Sequence, residues 1–508
     1  MIFEKKPCFF EVNAHLQTMI RFILLSSLFT ISFWQSAKAS NSFTNPVDTS
    51  IHVTAGIQAL ASDVGTTPFW IRSLRYGAIP VQNPGAVFKA NSHKNYTLKK
   101  KYDWKYGVEI TGWGGKQSDI MLTEAYLSGR RGKWEIWAGR RKEVYGLGDT
   151  TLSGGFYTWS GNARPMPKIQ IGTRDYLNFL GQWLGVNMNW SHGVFDSQGL
   201  LKGAILHQKS LYGRLGKPTS FIRIFGGLNH QVSWGGEAKN KTGGQFDYYP
   251  SGLNTYFYVV TLLKDREVVA IDNLSTEDDT NNQYGNHLGS IDFALKLQAF
   301  NAELLFYKQT AYETGRVFSL ITADDGITGI SFKRKKKGII EGIVVEHLYT
   351  QNQGLYISSI GKFFNAKDPH YPEQESYFNN GGRGGWDYQG KGIGTPLIVI
   401  DSESQQGGNP FYFAYNAVRS YYVGIMGTLP SDIHYVMRVS QSYHGYIAGS
   451  VRNPYDRYVP EIPQFSSSLS LQKNVLGKIS LQAQIGYDHG QRVTDTMGMS
   501  IGVKYWLF

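Results

Sequence analysis

A chain of 508 residues with 51 Lys and Arg against 39 Asp and Glu carries a formal charge of +12. Its mean hydropathy of −0.30 excludes a polytopic helical membrane protein, which needs repeated apolar runs of about 20 residues. The 32 Tyr, 12 Trp and 58 Gly against 17 Pro point instead to strands and turns, with rings placed where an apolar surface meets water.

From the N-terminus, Arg21 precedes an apolar stretch from Phe22 to Phe33, and Ala37-Lys38-Ala39 supplies a small-residue exit. Charge, apolar run and A-x-A site are the three parts of a secretory signal. The apolar core is too short to span a bilayer. Cleavage is expected after Ala39, giving a signal at 1–39 and a barrel domain at 40–508. Glu4 and Glu11 fit poorly ahead of such a signal, so Met19 is the better initiator and residues 1–18 read as a gene-start artefact. Cys8, the single cysteine, would leave with them, so no disulfide and no cysteine-based metal site is expected. No Cys ends the apolar run, which argues against a lipoprotein anchor. For an exported chain the basic surplus suits anionic lipid or an acidic polymer, and nucleic acid least.

Beyond residue 40 the pattern alternates every second residue between turn-forming clusters. Strands are predicted at 119–129, 132–140, 181–190, 219–228, 254–260, 295–300, 338–349, 432–443, 464–473, 477–487 and 496–508. At about ten residues they match barrel-spanning strands better than the five or six of soluble sheets. The last one ends on Phe508 with Trp506 two before it, as substrates of the barrel-assembly machinery do. An open sheet in lipid would leave edge N–H and C=O groups unpaired, so the sheet must close. With about 26 residues per strand and connection, the mature chain suggests an all-β fold, a closed antiparallel transmembrane β-barrel of about 16–18 strands with long extracellular loops. Counting back from a periplasmic C-terminus puts 488–495, 445–463 and 362–416 outside and 473–477 and 429–431 inside. The same count places the basic run 333–337 outside, as a solvated hairpin or a contact for lipopolysaccharide phosphates. Trp134, Trp137, Trp183 and Trp190 read as membrane-girdle anchors rather than ligand platforms.

Chemistry of catalysis finds little support. Glu346-His347 lacks the spacing of a zinc helix, no G-x-S-x-G occurs, and no cofactor or metal is expected.

Two stretches carry a family resemblance. One is Thr67-Pro68-Phe69-Trp70-Ile71-Arg72 with Arg75-Tyr76-Gly77 and Pro80. The other runs from Ala138-Gly139-Arg140-Arg141-Lys142 through Tyr145-Gly146-Leu147-Gly148-Asp149 and Leu152-Ser153-Gly154-Gly155 to Trp159-Ser160-Gly161-Asn162-Ala163 and Pro165-Met166-Pro167-Lys168-Ile169. Together they resemble the capsule-assembly Wzi family. The resemblance implies an outer-membrane barrel of about 18 strands in a Gram-negative envelope. It further implies a non-enzymatic surface lectin that attaches capsular or exported polysaccharide to the cell. The basic surplus makes that polymer acidic, and outer-membrane lipid and lipopolysaccharide would be the other partners. A porin or substrate channel is the alternative, and an outer-membrane hydrolase the third reading.

No motif transfers sugar-contacting residues, so candidates come from residue chemistry. Arg140 and Arg141 end a strand before a Gly-rich loop, where guanidinium forks could bind uronate or phosphate; an interfacial charge cluster that fixes the loop is the competing reading. Gly146, Gly148, Gly154 and Gly155 serve a tight re-entrant loop, not a nucleotide cradle. In 362–416, His370, Tyr371, Arg383, Trp386 and Tyr388 combine faces for sugar C–H surfaces with cations, or form a self-packed loop in the barrel mouth. Arg452, Tyr455 and Arg457 make a smaller set of the same kind.

Overall fold

The computed structural model describes residues 51–507 apart from 84, 98–99, 116–117, 196–199, 240–247, 262–283, 314, 368–374, 381–382, 406–411 and 446–460. The expected signal at 1–39 and the terminal Phe508 lie outside the described residues.

Among the described residues, a single antiparallel sheet closes on itself. Its strands are β1 (Ile51–Ser62), β2 (Ala86–Lys94), β3 (Tyr102–Gly114), β4 (Asp119–Arg131), β5 (Trp134–Arg140) and β6 (Pro167–Thr173). They continue as β7 (Leu184–Phe195), β8 (Ala204–Leu215), β9 (Ile222–Trp234), β10 (Gly285–Ala299), β11 (Ala302–Tyr312) and β12 (Gly326–Arg334). The wall is completed by β13 (Gly342–Tyr349), β14 (Ala417–Leu429), β15 (Ile433–Gly445), β16 (Ile462–Asn474), β17 (Ile479–Gly490) and β18 (Thr496–Trp506). A short extension, Leu177–Phe179, also pairs with β7, so it prolongs β6 across an interruption. That makes eighteen crossings, and β1 pairs with β18 from Thr54↔Trp506 to Ser62↔Gly498 to shut the seam. Closure leaves no free edge, as the bilayer demands.

The two-residue period decides which side chain meets lipid. In β5, Trp134 and Ile136 are exposed while Glu135 and Trp137 are buried. In β18, Met499, Ile501 and Val503 face outward while Thr496 and Ser500 face the lumen. Trp137 is therefore an inward residue, not a girdle anchor: it lies three positions from Trp134, an odd number, so the two cannot share a face. Trp134, Trp183 and Trp190 do stand on the exposed side.

Short turns gather at one end and long loops at the other, the periplasmic and cell-surface ends of outer-membrane barrels. The connection 335–341 belongs to the turn end, contrary to its expected position outside. β13 must rise into the long loop 350–416, so the chain before it lies below, beside the turn 430–432. There Gly338 O accepts from Thr428 N at 2.8 Å and Ile339 O from the Tyr435 hydroxyl at 2.7 Å.

The segment 254–260 is also not a strand. It is a helix, α2 (Leu253–Thr261), α1 being the single turn Phe69–Arg72 and α3 Ser359–Phe363. Thr255 and Val259, one helical turn apart, are buried, and Val259 packs with Val232 and Trp234. Asn229 and Gln231 reach into the lumen, so Val232 and Trp234 point outward and α2 lies against the outside of the barrel. Its far side carries Leu253, 87% exposed, and Phe257. Six aromatic and β-branched residues after Asn254 satisfy either period, and the packing partner decides.

Three loops of the upper end fold into the lumen. Segment 63–85 inserts Trp70, whose indole N–H donates to Ser440 Oγ at 3.0 Å, and Phe69, whose N–H donates to Asp488 at 2.7 Å. Segment 141–166 crosses the interior, and part of 350–416 closes over it. Their apolar side chains, among them Phe69, Trp70, Leu152, Tyr157, Tyr377, Trp386, Ile398 and Phe413, join one buried cluster with strand residues Leu288, Ile327 and Val344. The core of this protein is thus inside its barrel.

Candidate functional site

Segment 141–166 is tied to strands around the wall, β9 to β14 among them. Leu147 N donates to Asp292 on β10 at 2.9 Å, and Tyr157 N donates to Gln309 on β11 at 2.8 Å. Ser331 of β12 donates to Asp149 at 2.5 Å, and Ser153 Oγ and Gly154 N donate to Glu346 of β13, both at 2.7 Å. Asn229 of β9 donates to Thr158 at 2.6 Å, and the Tyr422 hydroxyl of β14 donates to Leu152 O at 2.6 Å. Glycine is required at the closest approach: a Cβ on Gly154 would lie 2.9 Å from the Tyr422 ring, and Gly155 has φ of +121°. The Gly-rich stretch is a re-entrant plug, as its composition suggested.

The three in-folded loops bind one another where they meet. Tyr76 N donates to Gly161 O at 2.8 Å and Gly77 N to Asn162 O at 2.9 Å. Asn162 Nδ2 donates to Gly392 O at 3.0 Å, and Ser160 Oγ to Gly394 O at 2.5 Å. Glu403 adds a charged clamp between Arg72 of α1 and Lys391, whose Nζ is 2.8 Å away. Burial alone would raise that carboxyl, yet the two cations hold it down to about 2.

At this junction lies a recess of about 240 Å³, counting the open space at its mouth. Its lining includes Tyr76, Arg141, Glu143, Trp159, Arg164 and Met166. Its interior has room for about one water molecule, so as it stands it does not enclose a sugar unit. Its groups are held from below. Arg141 reaches Glu135 at 2.7 Å with its guanidinium 5.2 Å from the Trp137 ring. Lys168 pairs with Glu143 at 2.8 Å and lies 5.1 Å from the Trp159 ring. A β-bulge in the β3–β4 pair sets Glu124 opposite Glu109, and Lys142 binds both, through Nζ to Glu109 at 2.7 Å and through its N–H to Glu124 at 3.1 Å. Burial, and then Glu124, Glu143 and Glu109, push the Tyr76 hydroxyl up to about 12, so it stays a protonated donor. Arg164 crosses the rim to Leu122 O at 2.9 Å and Gln389 at 2.9 Å.

Of the residues singled out from the sequence, Arg141 lines the recess and Arg140 stands beside it. Arg140 donates to Pro165 O at 2.8 Å and to the Tyr388 hydroxyl at 2.9 Å. Tyr388, Trp386 and Arg383 are buried inside the long loop: Trp386 packs edge-on against Phe195 at 5.4 Å, and the Arg383 guanidinium sits 3.9 Å from the Tyr249 ring. These three hold the loop's shape and present no ring face or fork to solvent. His370, Tyr371, Arg452, Tyr455 and Arg457 lie outside the described residues. Tyr76, Glu143, Trp159 and Arg164 were not anticipated as site residues, although the first and third stand within the two motifs that carried the family resemblance. Among the described residues, no group of three His, Cys, Asp or Glu is arranged to hold a metal.

Comparison with known proteins agrees with this architecture. A solved structure from Escherichia coli, Wzi, is described as an outer-membrane protein involved in group 1 capsule assembly and a carbohydrate-binding β-barrel. It superposes with a TM-score of 0.56 over 89% of this chain and 83% of its own, at 14% identity, and so supports the fold. Pseudomonas aeruginosa OprD aligns over 90% of this chain and 94% of its own at 9% identity, but its TM-score of 0.41 carries no argument. By sequence, no curated protein matches the chain. The family model described as capsule assembly protein Wzi matches residues 38–393, well over half the length. The chain therefore belongs to the capsule-assembly Wzi family, an outer-membrane β-barrel with a role in capsule assembly.

Proposed function

We propose that this barrel is a non-enzymatic surface lectin that holds an acidic capsular or exported polysaccharide at the loop end. The observation that supports this reading is the junction of three in-folded loops. They occupy the lumen a channel would need, and they set Arg141, Arg164, Tyr76 and Trp159 around one recess at the upper end. Guanidinium forks suit uronate carboxylates, and aromatic faces suit sugar C–H surfaces. The Escherichia coli relative's description as carbohydrate-binding points the same way.

The test is retention of polysaccharide on cells. A deletion strain is compared with strains carrying the intact gene or Arg141→Ala/Arg164→Gln. The expected result is polymer made but released into the medium, fully in the deletion and partly in the double variant. Polymer that stays cell-bound while uptake of a small solute falls would overturn the lectin and favour the channel.

A further inference from the structure

Several lumenal cations among the described residues have a carboxylate. Lys105 and Arg141 share Glu135, Lys142 takes Glu109, Lys168 takes Glu143, Lys296 takes Glu303 and Lys333 takes Asp149. A second group does not. Gly56 on β1 pairs with Lys89 of β2 on one side and with Lys504 of β18 on the other. Gln58, two residues along the same face, donates to the lumenal Ser500 at 2.6 Å, which fixes that face as the inner one. Two lysines therefore flank a wall position that has no side chain, their backbones about 10 Å apart across two strand spacings. Any Cβ at Gly56 would lie 3.1 Å from Val503 O and narrow the space between them.

Arg75 is carried over this niche by segment 63–85. Both its neighbours are non-glycine residues in the left-handed region, Leu74 at φ 57° and Tyr76 at φ 56°. Such backbone costs on the order of 1 kcal/mol per residue and persists only where its surroundings enforce it. Here the backbone bonds to Gly161 and Asn162 do so. Arg75 is near enough to Lys89, and to Arg438 of β15 on its other side, for their charges to repel it. Burial, and then Arg438, lower Arg75 to about 10. Arg438 leans on Tyr422 and reaches Thr151 O at only 3.4 Å, and its Nε is buried without a partner. Lys89 has one carboxylate in its surroundings, Glu109, already taken by Lys142. Among the described residues, Arg75, Lys89, Arg438 and Lys504 make no ion pair. All four are half-buried, so lumenal solvent reaches them. Gathering like charges is unfavourable unless something neutralises them.

We infer that Arg75, Lys89 and Lys504 form an anion-binding site on the inner wall, around Gly56, which takes a carboxylate or phosphate group entering the lumen. It lies in a different place from the loop-end recess and stands whether or not that recess holds polymer. The shared chemistry is a tetrahedral or planar oxyanion met by guanidinium forks and ammonium groups.

The experiment is calorimetric titration of the full-length barrel, folded in detergent at low salt, with inorganic phosphate and separately with a hexuronate oligosaccharide. Variants are Arg75→Gln, Lys504→Gln and Lys89→Gln/Lys504→Gln. Lys217→Gln, an exposed turn residue, is the control, and heat-dependent gel mobility reports folding. Each single change is expected to weaken binding by roughly tenfold or more, the size of a lost charge-assisted bond, with the control unchanged. Tighter binding of hexuronate marks an acidic saccharide as the source, and tighter binding of phosphate marks a phosphate group. No binding by the intact chain, or equal binding by the wall variants and the control, overturns the site. The wall lysines and the loop arginine can fail to fold independently, so either set alone decides.

Discussion

The two larger loops that fill this barrel are fastened by different physics. Segment 141–166 is held to the wall by many strands at once, through single hydrogen bonds and through ion pairs of Arg141, Lys142, Glu143 and Asp149 with strand residues, and with glycine where backbone meets ring. The long loop 350–416 is held mainly by its own contents: an apolar core of Tyr377, Phe378, Trp386, Ile398 and Phe413, and ion pairs in which Glu403 binds Arg72 and Lys391, and Arg492 binds Asp401. The first arrangement distributes its stability over many small contacts; the second concentrates it in a few large ones. Single substitutions should therefore open the long loop and leave the plug in place.

The largest effect is expected from Trp386→Ala. The indole is fully buried, and truncating a buried Trp costs about 3–5 kcal/mol. Limited proteolysis of intact cells should show cleavage in 376–404 while the barrel keeps its heat-dependent gel mobility. Loss of that mobility instead would mean the loop core is needed for the wall itself. Glu403→Gln comes next, at about 3 kcal/mol, because it leaves Arg72 and Lys391 buried without a counter-charge. The same clamp sets an acid limit. Its folded-state carboxyl is depressed to about 2, so its stabilisation is complete above the ordinary Glu range and is lost as pH falls toward 2. Loop protection that survives unchanged in the variant would remove the clamp from the account.

How far these arrangements can be read in advance differs between wall and loops. Alternation in 464–473, 477–487 and 496–508 announced strands because every second residue answers to lipid. The glycines of 146–155 announced a re-entrant loop because backbone approach demands them. Long-range pairing left no such trace. Nothing near Trp386 says that Phe195 covers it, so an aromatic loop residue reads equally as a sugar platform or as core. Trp137 was legible by parity from Trp134, whereas α2 was not, since its helical period appears only once Val232 and Trp234 are known to face it.

A third contrast separates the loops by pH. Asp387 in the long loop and Asp325, which precedes β12 and accepts bonds from that loop, are buried and raised to about 7, first by burial, against the pull of hydrogen bonds from Gly390 and from Tyr377, Asn352 and Gln353. A raised carboxyl stabilises the folded loop below the ordinary Asp range and loses that contribution as pH rises through about 7. Each pH unit between the ordinary Asp range and about 7 should weaken the loop by up to about 1.4 kcal/mol per group, and above 7 the loss is complete. Hydrogen exchange at pH 6 and pH 8 should show faster opening of 350–404 at the higher pH, beyond the intrinsic rate change. Asp387→Asn should flatten the dependence, and an equal response in both forms would assign it elsewhere.

The smallest expected change tests the plug. Gln309→Ala removes the acceptor for Tyr157 N and the donor to Leu147 O at 3.1 Å, two of the many bonds that fasten 141–166. Leaving the buried Tyr157 N–H unpaired costs about 1–3 kcal/mol, and lumenal water at the site moves the effect to the lower end, about 1. The other strands still grip the segment, so ion conductance of the reconstituted barrel in a planar bilayer should stay at the level of the intact protein. Adding Glu346→Gln weakens the bonds to Ser153, Gly154 and Tyr307 together, and only then should brief conductance steps appear. Steps from Gln309→Ala alone would mean the plug hangs on one bond, and the contrast with the long loop would fail.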